Sequence, residues 1–258
     1  MKYVVILCLL AMPAAAQIAS PDPSHSTTAE LLYGHSSLRG GGHWQSADLA
    51  LTTLLPQTVG YFFLHASERP EEKGSLAALA ATHDWNSRFF TYAAAAGALQ
   101  RASFLPTSRF DLELNAKLLQ DRRLVASIGG TIARYPTRHR DDVLSIGATY
   151  YAPLIVTYRY FHNTSSPGHV ESHAQLLQIG LERRGRISTY LRHSWGNEAY
   201  QLTNLVTPQN VALSGHTTTF AVRRWITGRS GFTAEIEQQS KASDFRRFGG
   251  RVGAFYAF

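Results

Sequence analysis

The chain has 258 residues, of which 44% are hydrophobic and 17% charged, and its formal net charge at pH 7 is +7. This length and hydrophobic content support a folded core and exclude an intrinsically disordered or collagen-like chain. Charged residues are scarcer than the usual share of about a quarter, so an ordinary solvated surface does not explain the composition. The basic residues are scattered, which favours contact with anionic lipid or glycan over nucleic acid.

The first sixteen residues have the pattern of a secretory signal peptide. Lys2 supplies a positive charge, residues 3–12 form a short apolar core, and residues 14–16 are alanines suited to cleavage after the third. The apolar run is too short to span a bilayer. The only cysteine, Cys8, lies in this segment, so the mature chain is expected to lack disulfides and thiol chemistry. We expect an exported protein that starts with a short periplasmic segment, 17–27.

Alternating apolar and polar residues predict strands along the rest of the chain. Residues 110–118 show the alternation most clearly, and residues 232–237 repeat it. With the turn signals between them, such segments predict strands near 28–36, 44–55, 58–67, 74–85, 88–101, 108–119, 123–135, 142–151, 153–163, 170–182, 186–196, 211–226, 231–240 and 245–258. Most have about ten residues or slightly more, the length with which a tilted strand crosses a bilayer. No stretch past residue 20 resembles a membrane-spanning helix.

The connections between these strands alternate in character. Tight turns such as 55–57 and 120–122 alternate with longer or more polar loops such as 102–107 and 197–210. An up-and-down transmembrane barrel has short periplasmic turns and longer outer loops, whereas a soluble β-sandwich has no reason to sort its loops this way. The predicted fold is therefore all-β, an antiparallel up-and-down transmembrane barrel of about 14 strands, with 12 as the alternative, over residues 28–258.

Two alanine-rich runs, 77–81 and 93–98, are helical by intrinsic propensity. We interpret them as strands, because Gly97 and the flanking aromatic residues suit a strand. A helix at either place would also break the alternation of the connections.

The last predicted strand ends in an aromatic residue. Val252, Ala254, Tyr256 and Phe258 form one apolar face of this strand. Such an ending resembles the assembly signal of bacterial outer-membrane barrels, which predicts that the barrel-assembly machinery is a partner. A closed barrel leaves no backbone group unpaired in lipid, which is why strands can cross a membrane.

Several segments resemble the YaiO-type outer-membrane β-barrel family. They are 43–45 (His-Trp-Gln), 143–160, where two strands meet almost without a turn, 216–225 and 251–258. The resemblance covers most of the mature chain. It implies a barrel of about this size in the outer membrane of a Gram-negative bacterium, in contact with outer-membrane lipid and lipopolysaccharide. It implies no enzyme, because the family offers no established active site to transfer, and it hints at polysaccharide traffic.

Two local patterns bear on catalysis and metal binding. His193 and Ser194 are adjacent and so project from opposite faces of a strand, which argues against a lipid-modifying hydrolase with both groups on one face. His162, His169 and His173 could bind a metal, but loop histidines without a carboxylate partner are more typical of solvated side chains. We predict no catalytic residue, no metal site and no cofactor.

The four tryptophans are predicted to lie in the two aromatic girdles of the barrel. Trp44 and Trp195 fall near the outer ends of their strands, and Trp85 and Trp225 near the inner ends. Aromatic residues are enriched at both membrane interfaces of such barrels.

Charged residues that alternate with apolar ones predict the lining of the lumen. If Leu112, Leu114 and Val252 face lipid, the inward candidates are Asp48, Asp111, Glu113, Lys117, Arg159, Arg192, Arg223, Glu235, Glu237 and Arg251. An inward position avoids the cost of about 2–4 kcal/mol for Arg or Lys facing lipid at mid-depth. Arginine outnumbers glutamate on this face in the C-terminal half, which would favour anionic or zwitterionic solutes in a pore. Alternatively the charges pair between strands, and one register sets Glu235 opposite Arg251.

Two functions are compatible with such a barrel. In the first, it is a passive pore or conduit for a small solute or a glycan, with an anionic solute as a candidate. In the second, it is a plugged structural or adhesion barrel that acts through outer loops such as 197–210. The lipid-modifying hydrolase is a third and less favoured alternative.

Overall fold

A computed structural model shows a closed antiparallel barrel of fourteen strands. The structure describes residues 27–136, 138–202, 209–241 and 245–258. The strands are β1 (Thr27–Leu38), β2 (His43–Leu55), β3 (Thr58–Arg69), β4 (Glu72–Asp84), β5 (Phe89–Gln100), β6 (Ser108–Leu118), β7 (Leu124–Arg134), β8 (Arg140–Tyr151), β9 (Ile155–Ser166), β10 (Val170–Arg183), β11 (Ile187–Leu202), β12 (Gln209–Trp225), β13 (Ser230–Lys241) and β14 (Arg246–Ala257). Each strand pairs with its neighbours in sequence, and β14 closes the barrel on β1. Across the described residues, no helix is long and apolar enough to cross a membrane.

The predicted fourteen-strand barrel is confirmed, including its two alanine-rich strands. The run 77–81 lies in β4 and the run 93–98 in β5, and both strands are paired on both sides. Pairing with two neighbours outweighs the helical preference of alanine, which is worth less than 1 kcal/mol per residue. The predicted signal peptide and almost all of the periplasmic segment lie outside the described residues, and β1 begins at Thr27.

Several outer connections are shorter than predicted because the strands continue past the predicted ends. The predicted loop 197–210 is largely strand, since β11 runs to Leu202 and β12 begins at Gln209. The connection between β3 and β4 is only residues 70–71. Above the bilayer both faces of a hairpin can be wet, so the apolar–polar alternation stops while backbone pairing continues. The predicted contrast in loop length is therefore weak in the structure.

The two faces of the sheet differ in chemistry. Large apolar side chains are exposed on the outer face, among them Leu31, Leu79, Leu112, Leu114, Ile128, Ile146, Leu191, Phe220, Ile236 and Val252. The inner face buries polar and charged side chains, among them Thr52, Arg109, Glu113, Asn115, Thr157, Arg159, Gln178, Arg192, Thr219 and Arg223. A water-soluble domain has the opposite distribution. The outer face is suited to lipid and the inner face to water and polar solutes.

The closing strand carries the predicted C-terminal apolar face. Val252, Tyr256 and Phe258 are exposed on the outer face, as is the smaller Ala254. The backbone N–H of Phe258 donates to the carbonyl of Thr27 at 2.8 Å. The last residue therefore takes part in the hydrogen bonds that close the barrel between β14 and β1.

Deletion of Phe258 is expected to lower the amount of assembled barrel in the outer membrane while export continues. The deletion removes both the terminal aromatic ring and a hydrogen bond of the closing pair. Folded barrels migrate differently on gels before and after boiling, so the fraction of heat-modifiable protein measures assembly. Phe248→Ala is the matched control, because it removes a lipid-exposed ring from the same strand away from the terminus. Equal assembly of the two variants would contradict a specific role of the terminal residue.

Candidate functional site in the barrel lumen

The inner wall of the barrel is the candidate site, because it concentrates the polar chemistry of the chain. The structure places the following predicted residues on this wall: Asp48, Asp111, Glu113, Lys117, Arg159, Arg192, Arg223, Glu235, Glu237 and Arg251. Each is hydrogen-bonded to another side chain of the wall or its rim. The wall is thus a network of paired groups.

A buried ion pair joins β6 to β9. Arg159 donates to both carboxylate oxygens of Glu113, with 3.0 Å between Nη2 and Oε1, and each side chain is 10% exposed. The arginine stem passes over Gly147 of β8, where an added Cβ would lie 2.7 Å from Cγ of Arg159. Gly129 of β7 lies beside Glu113 in the same way, with a Cβ position 3.3 Å from the glutamate Cβ. The two glycines leave the space through which this pair crosses two intervening strands.

A second network spans the closing strands. Arg251 donates through Nε and Nη2 to Oε1 of Glu235, at 3.0 and 2.7 Å. Its Nη1 lies 3.5 Å from Oδ2 of Asp48, whose other oxygen is 2.6 Å from Nδ1 of His65. Tyr190 donates its hydroxyl to Oε2 of Glu235 at 2.9 Å. The predicted register that sets Glu235 opposite Arg251 is present, and the network links β11, β13, β14, β2 and β3.

Partners of two further arginines were missed by the sequence analysis. Arg223 of β12 donates to Oε2 of Glu30 of β1 at 2.6 Å, and Thr233 donates to the other oxygen. Arg247 of β14 donates to Glu237 of β13. Glu30 alternates with the exposed Leu31, and this alternation was the signal that could have revealed it.

The predicted excess of arginine on the inner wall is largely neutralised in the structure. Arg159, Arg223 and Arg251 each pair with an acid, and two of these acids, Glu30 and Glu113, come from the N-terminal half. The prediction counted only charges in the C-terminal half, and pairing around a closed barrel is not local in sequence. Among the described side chains, none of the recorded ion pairs includes Arg192.

The connection between β5 and β6, residues 101–107, folds into the outer mouth of the barrel. Ala102, Phe104 and Leu105 are 2–6% exposed and pack on Leu76 of the inner wall. The sequence analysis grouped this connection with the longer or more polar outer loops and did not foresee that its apolar side chains turn inward. Its apolar side chains are shielded from water by the apolar inner wall of β3–β5, where Phe63 and Ala96 add to the cluster. The loop narrows the mouth on this side.

Aromatic rings and arginines stack beside this loop. The guanidinium of Arg69 lies 4.0 Å from the ring centroid of Trp44 and 3.9 Å from that of Phe104. Arg247 lies 5.0 Å from the same tryptophan ring on another side. Cation–π contacts of this kind hold loop 101–107 against β2 and β3.

The four tryptophans were predicted to lie in the aromatic girdles at the two membrane interfaces. Two of them have their rings inside the barrel instead. Trp44 stacks with the inward arginines, and Trp225 packs edge-on to the buried Phe255 with ring centroids 4.9 Å apart. The prediction used only height along the strand, whereas strand alternation puts these rings on the inner face. Trp195 stacks on His193 at the outer face, and Trp85 is 65% exposed in the β4–β5 turn.

A polar cluster lies at the outer end of β8 and β9. Asp141 is 1% exposed and accepts a hydrogen bond from Ser165 at 2.6 Å, while Nε2 of His139 lies 2.9 Å from the same oxygen. Burial, together with the nearby Asp141 carboxylate, raises the pKa of Tyr135 in the adjacent loop. Tyr135 therefore keeps its proton at neutral pH, and the cluster links the outer loop to the wall.

The candidate hydrolase and metal groups are placed as follows. Ser194 is buried on the inner face, whereas His193 lies on the outer face with Nδ1 2.9 Å from the hydroxyl of Thr218. His162 and His173 approach each other with 3.2 Å between their Nδ1 atoms. Within the part of the chain that the structure describes, no three His, Cys, Asp or Glu side chains are grouped as metal ligands.

An apolar exterior, a charged interior and a closed sheet of fourteen strands define an outer-membrane β-barrel. The family model of the YaiO membrane beta barrel domain matches residues 26–201, and the chain belongs to this family. The predicted location in the outer membrane of a Gram-negative bacterium is confirmed by this membership together with the fold. No curated protein matches this chain.

Several solved structures of outer-membrane proteins have a similar fold. The CymD monoaromatic hydrocarbon channel has a TM-score of 0.61 and 8% identity, over 91% of this chain and 89% of that one. A bacterial polysaccharide outer membrane secretin has a TM-score of 0.56 and 10% identity, over 92% and 100%. OmpF of Salmonella typhi, in a complex with daunomycin, has a TM-score of 0.50 and 7% identity, over 90% and 97%. At these identities the likeness shows a shared barrel fold.

Proposed function

We propose that this barrel is a passive conduit through which small polar solutes cross the outer membrane. The observation that carries the proposal is the way the inner ion pairs lie along the wall. Arg159–Glu113 and Arg223–Glu30 each join strands three positions apart, and Arg251–Asp48 joins strands two apart. None of these three pairs joins opposite sides of the barrel. Because these pairs join strands only two or three places apart, they hold the long side chains along the wall, which supports a conduit through the barrel.

The size of the barrel supports the same proposal. Fourteen strands spaced about 4.8 Å apart and tilted by about 40° give a backbone radius of about 14 Å. Two side chains that extend from opposite walls are too short to meet across the diameter of such a barrel. A plugged barrel needs a segment that crosses the axis, whereas loop 101–107 packs on the wall at the mouth.

The narrowed mouth favours a small solute over a bulky polymer. Loop 101–107 occupies the mouth on the side of β3–β5, so the free cross-section is smaller than the barrel itself. A short glycan is the upper limit that this arrangement suggests. One of the similar structures is named as a polysaccharide outer membrane secretin. Its likeness to this chain concerns the fold alone.

The purified protein is expected to form steady channels of uniform conductance in planar lipid bilayers. Open conduits give stepwise current increases at constant voltage, because each inserted barrel adds one aqueous path. The matched control is the same preparation after boiling, which abolishes the folded gel band. Silent membranes from fully heat-modifiable protein would contradict the conduit and favour a plugged adhesion barrel.

A further inference from the structure

Arg192 of β11 is hydrogen-bonded to an amide, whereas Arg159, Arg223 and Arg251 each pair with a carboxylate. Its Nε donates to Oε1 of Gln178 at 3.2 Å, and its guanidinium lies 4.9 Å from the ring centroid of Tyr190. Its Nη2 is buried and has no hydrogen-bond partner, and the residue is 8% exposed. A guanidinium keeps its charge at any physiological pH and offers five N–H donors. A buried donor of this kind without an acceptor is costly unless something accepts its hydrogen bond.

The side chains that neighbour Arg192 across the strands supply no carboxylate to accept a hydrogen bond from its Nη2. Its cross-strand neighbour is Thr219, and that of Gln178 is Thr157, both 3% exposed and neutral. The nearest acids on β13 are engaged elsewhere. Glu235 binds Arg251 and Tyr190, and Glu237 binds Arg247 and Thr219. Arg192 is therefore hydrogen-bonded to a neutral group, and the carboxylate of Glu235, which Arg251 holds, meets this site through the hydroxyl of Tyr190.

We propose that Arg192 and Gln178, beside the ring of Tyr190, form a binding point for the carboxylate of a permeating organic anion, such as a sugar acid. This inference rests on the proposed conduit and names the class of solute it favours. Planar guanidinium groups bind carboxylates through two parallel hydrogen bonds. Gln178 uses its amide oxygen for Arg192, so its amide nitrogen is a further donor for the ligand.

The side chain of Arg192 is free to meet such a ligand. One hydrogen bond holds its guanidinium, whereas Arg159 and Arg251 are each fixed by two or more to a carboxylate. Turning its buried Nη2 towards a ligand in the lumen would break no ion pair. The guanidinium carries one positive charge, which the carboxylate of a monoanion matches.

The test compares wild-type protein with Arg192→Gln, using sodium D-glucuronate as the probe and D-glucose as the neutral analogue. Glucuronate is expected to block chloride current through wild-type channels, and the half-blocking concentration is expected to rise about tenfold in the variant, which corresponds to one lost charge-assisted contact. Arg192→Lys keeps the charge but loses the planar fork, so an intermediate value is expected. Arg140→Gln removes the same charge from the outer face and is expected to leave the block unchanged.

Calorimetric titration of glucuronate into the folded barrel in detergent separates this proposal from the conduit itself. Binding to wild-type protein that weakens about tenfold in Arg192→Gln supports the site even if the bilayers are silent, in which case only the conduit fails. Equal binding by both proteins, binding of glucose as tight as that of glucuronate, or no binding to wild-type protein would overturn the site. Heat-modifiable migration of each variant verifies that it is folded.

Discussion

Replacement of Arg159 by glutamine is expected to lower the free energy of unfolding by about 3 kcal/mol, because it leaves Glu113 as a buried carboxylate without a cation. Both side chains are only 10% exposed, so water replaces the lost partner poorly. The glycine at position 147 adds to this effect. It leaves an open space over β8 that the arginine stem fills in the wild-type wall and that the shorter glutamine fills only in part.

Urea-induced unfolding in phospholipid micelles measures this loss. Arg159→Gln combined with Glu113→Gln is expected to recover most of the stability, since no uncompensated charge then remains. Arg140→Gln is the matched control, because the Arg140–Asp142 pair is 43% and 40% exposed, and its loss is expected to cost at most about 1 kcal/mol. An Arg159→Gln variant no less stable than Arg140→Gln would show that the inner pair does not stabilise the wall.

The same variants separate two roles for the charges of the inner wall. If the wall charges act in pairs, Arg159→Gln changes stability strongly, and the double variant leaves ion selectivity as in the wild type because its net charge is unchanged. If they act as a field on solutes, the unpaired Arg192 dominates selectivity. The structure favours two different roles. Arg159, Arg223 and Arg251 stabilise the inner wall through ion pairs, and Arg192 is left to bind the solute.

Strand alternation was enough to predict the barrel and the inward phase of many charges. In β6, Asp111, Glu113 and Lys117 alternate with exposed leucines, and this local period needs no knowledge of the other strands. The register of Glu235 against Arg251 also follows from a short hairpin. Both signals arise within one strand or between neighbours in sequence.

The pairs that cross several strands lay beyond the reach of these signals. Glu30 and Arg223 are 193 positions apart in sequence and meet only because β14 closes on β1. Trp44 differs, since alternation with Asp48 already put its ring on the inner face, and only its contact with Arg247 depends on closure. The inward fold of loop 101–107 depends on an apolar wall formed by other strands. Such contacts are properties of the closed barrel as a whole.

Shortening loop 101–107 is expected to enlarge the channel. Replacing residues 102–106 by two glycines removes Phe104 and Leu105 from the mouth, and about a twofold rise in single-channel conductance is expected, because conduction depends on pore diameter. Larger neutral sugars should then enter proteoliposomes in swelling assays. Phe104→Ala keeps the loop but removes the ring that stacks on Arg69, so a smaller rise with more current noise is expected.

The conductance of the shortened variant depends on where along the barrel axis the channel is narrowest. Glu72 accepts hydrogen bonds from the backbone N–H and the hydroxyl of Ser103, and the apolar cluster around Leu76 holds the other side of the loop. A loop anchored on both sides restricts the mouth steadily, so its removal should change conductance at every voltage. Wild-type conductance in the shortened variant would instead assign the narrowest section to the level of Arg251 and Glu235. Neutralising that pair, with Arg251→Gln and Glu235→Gln together, would then alter the current where the loop did not.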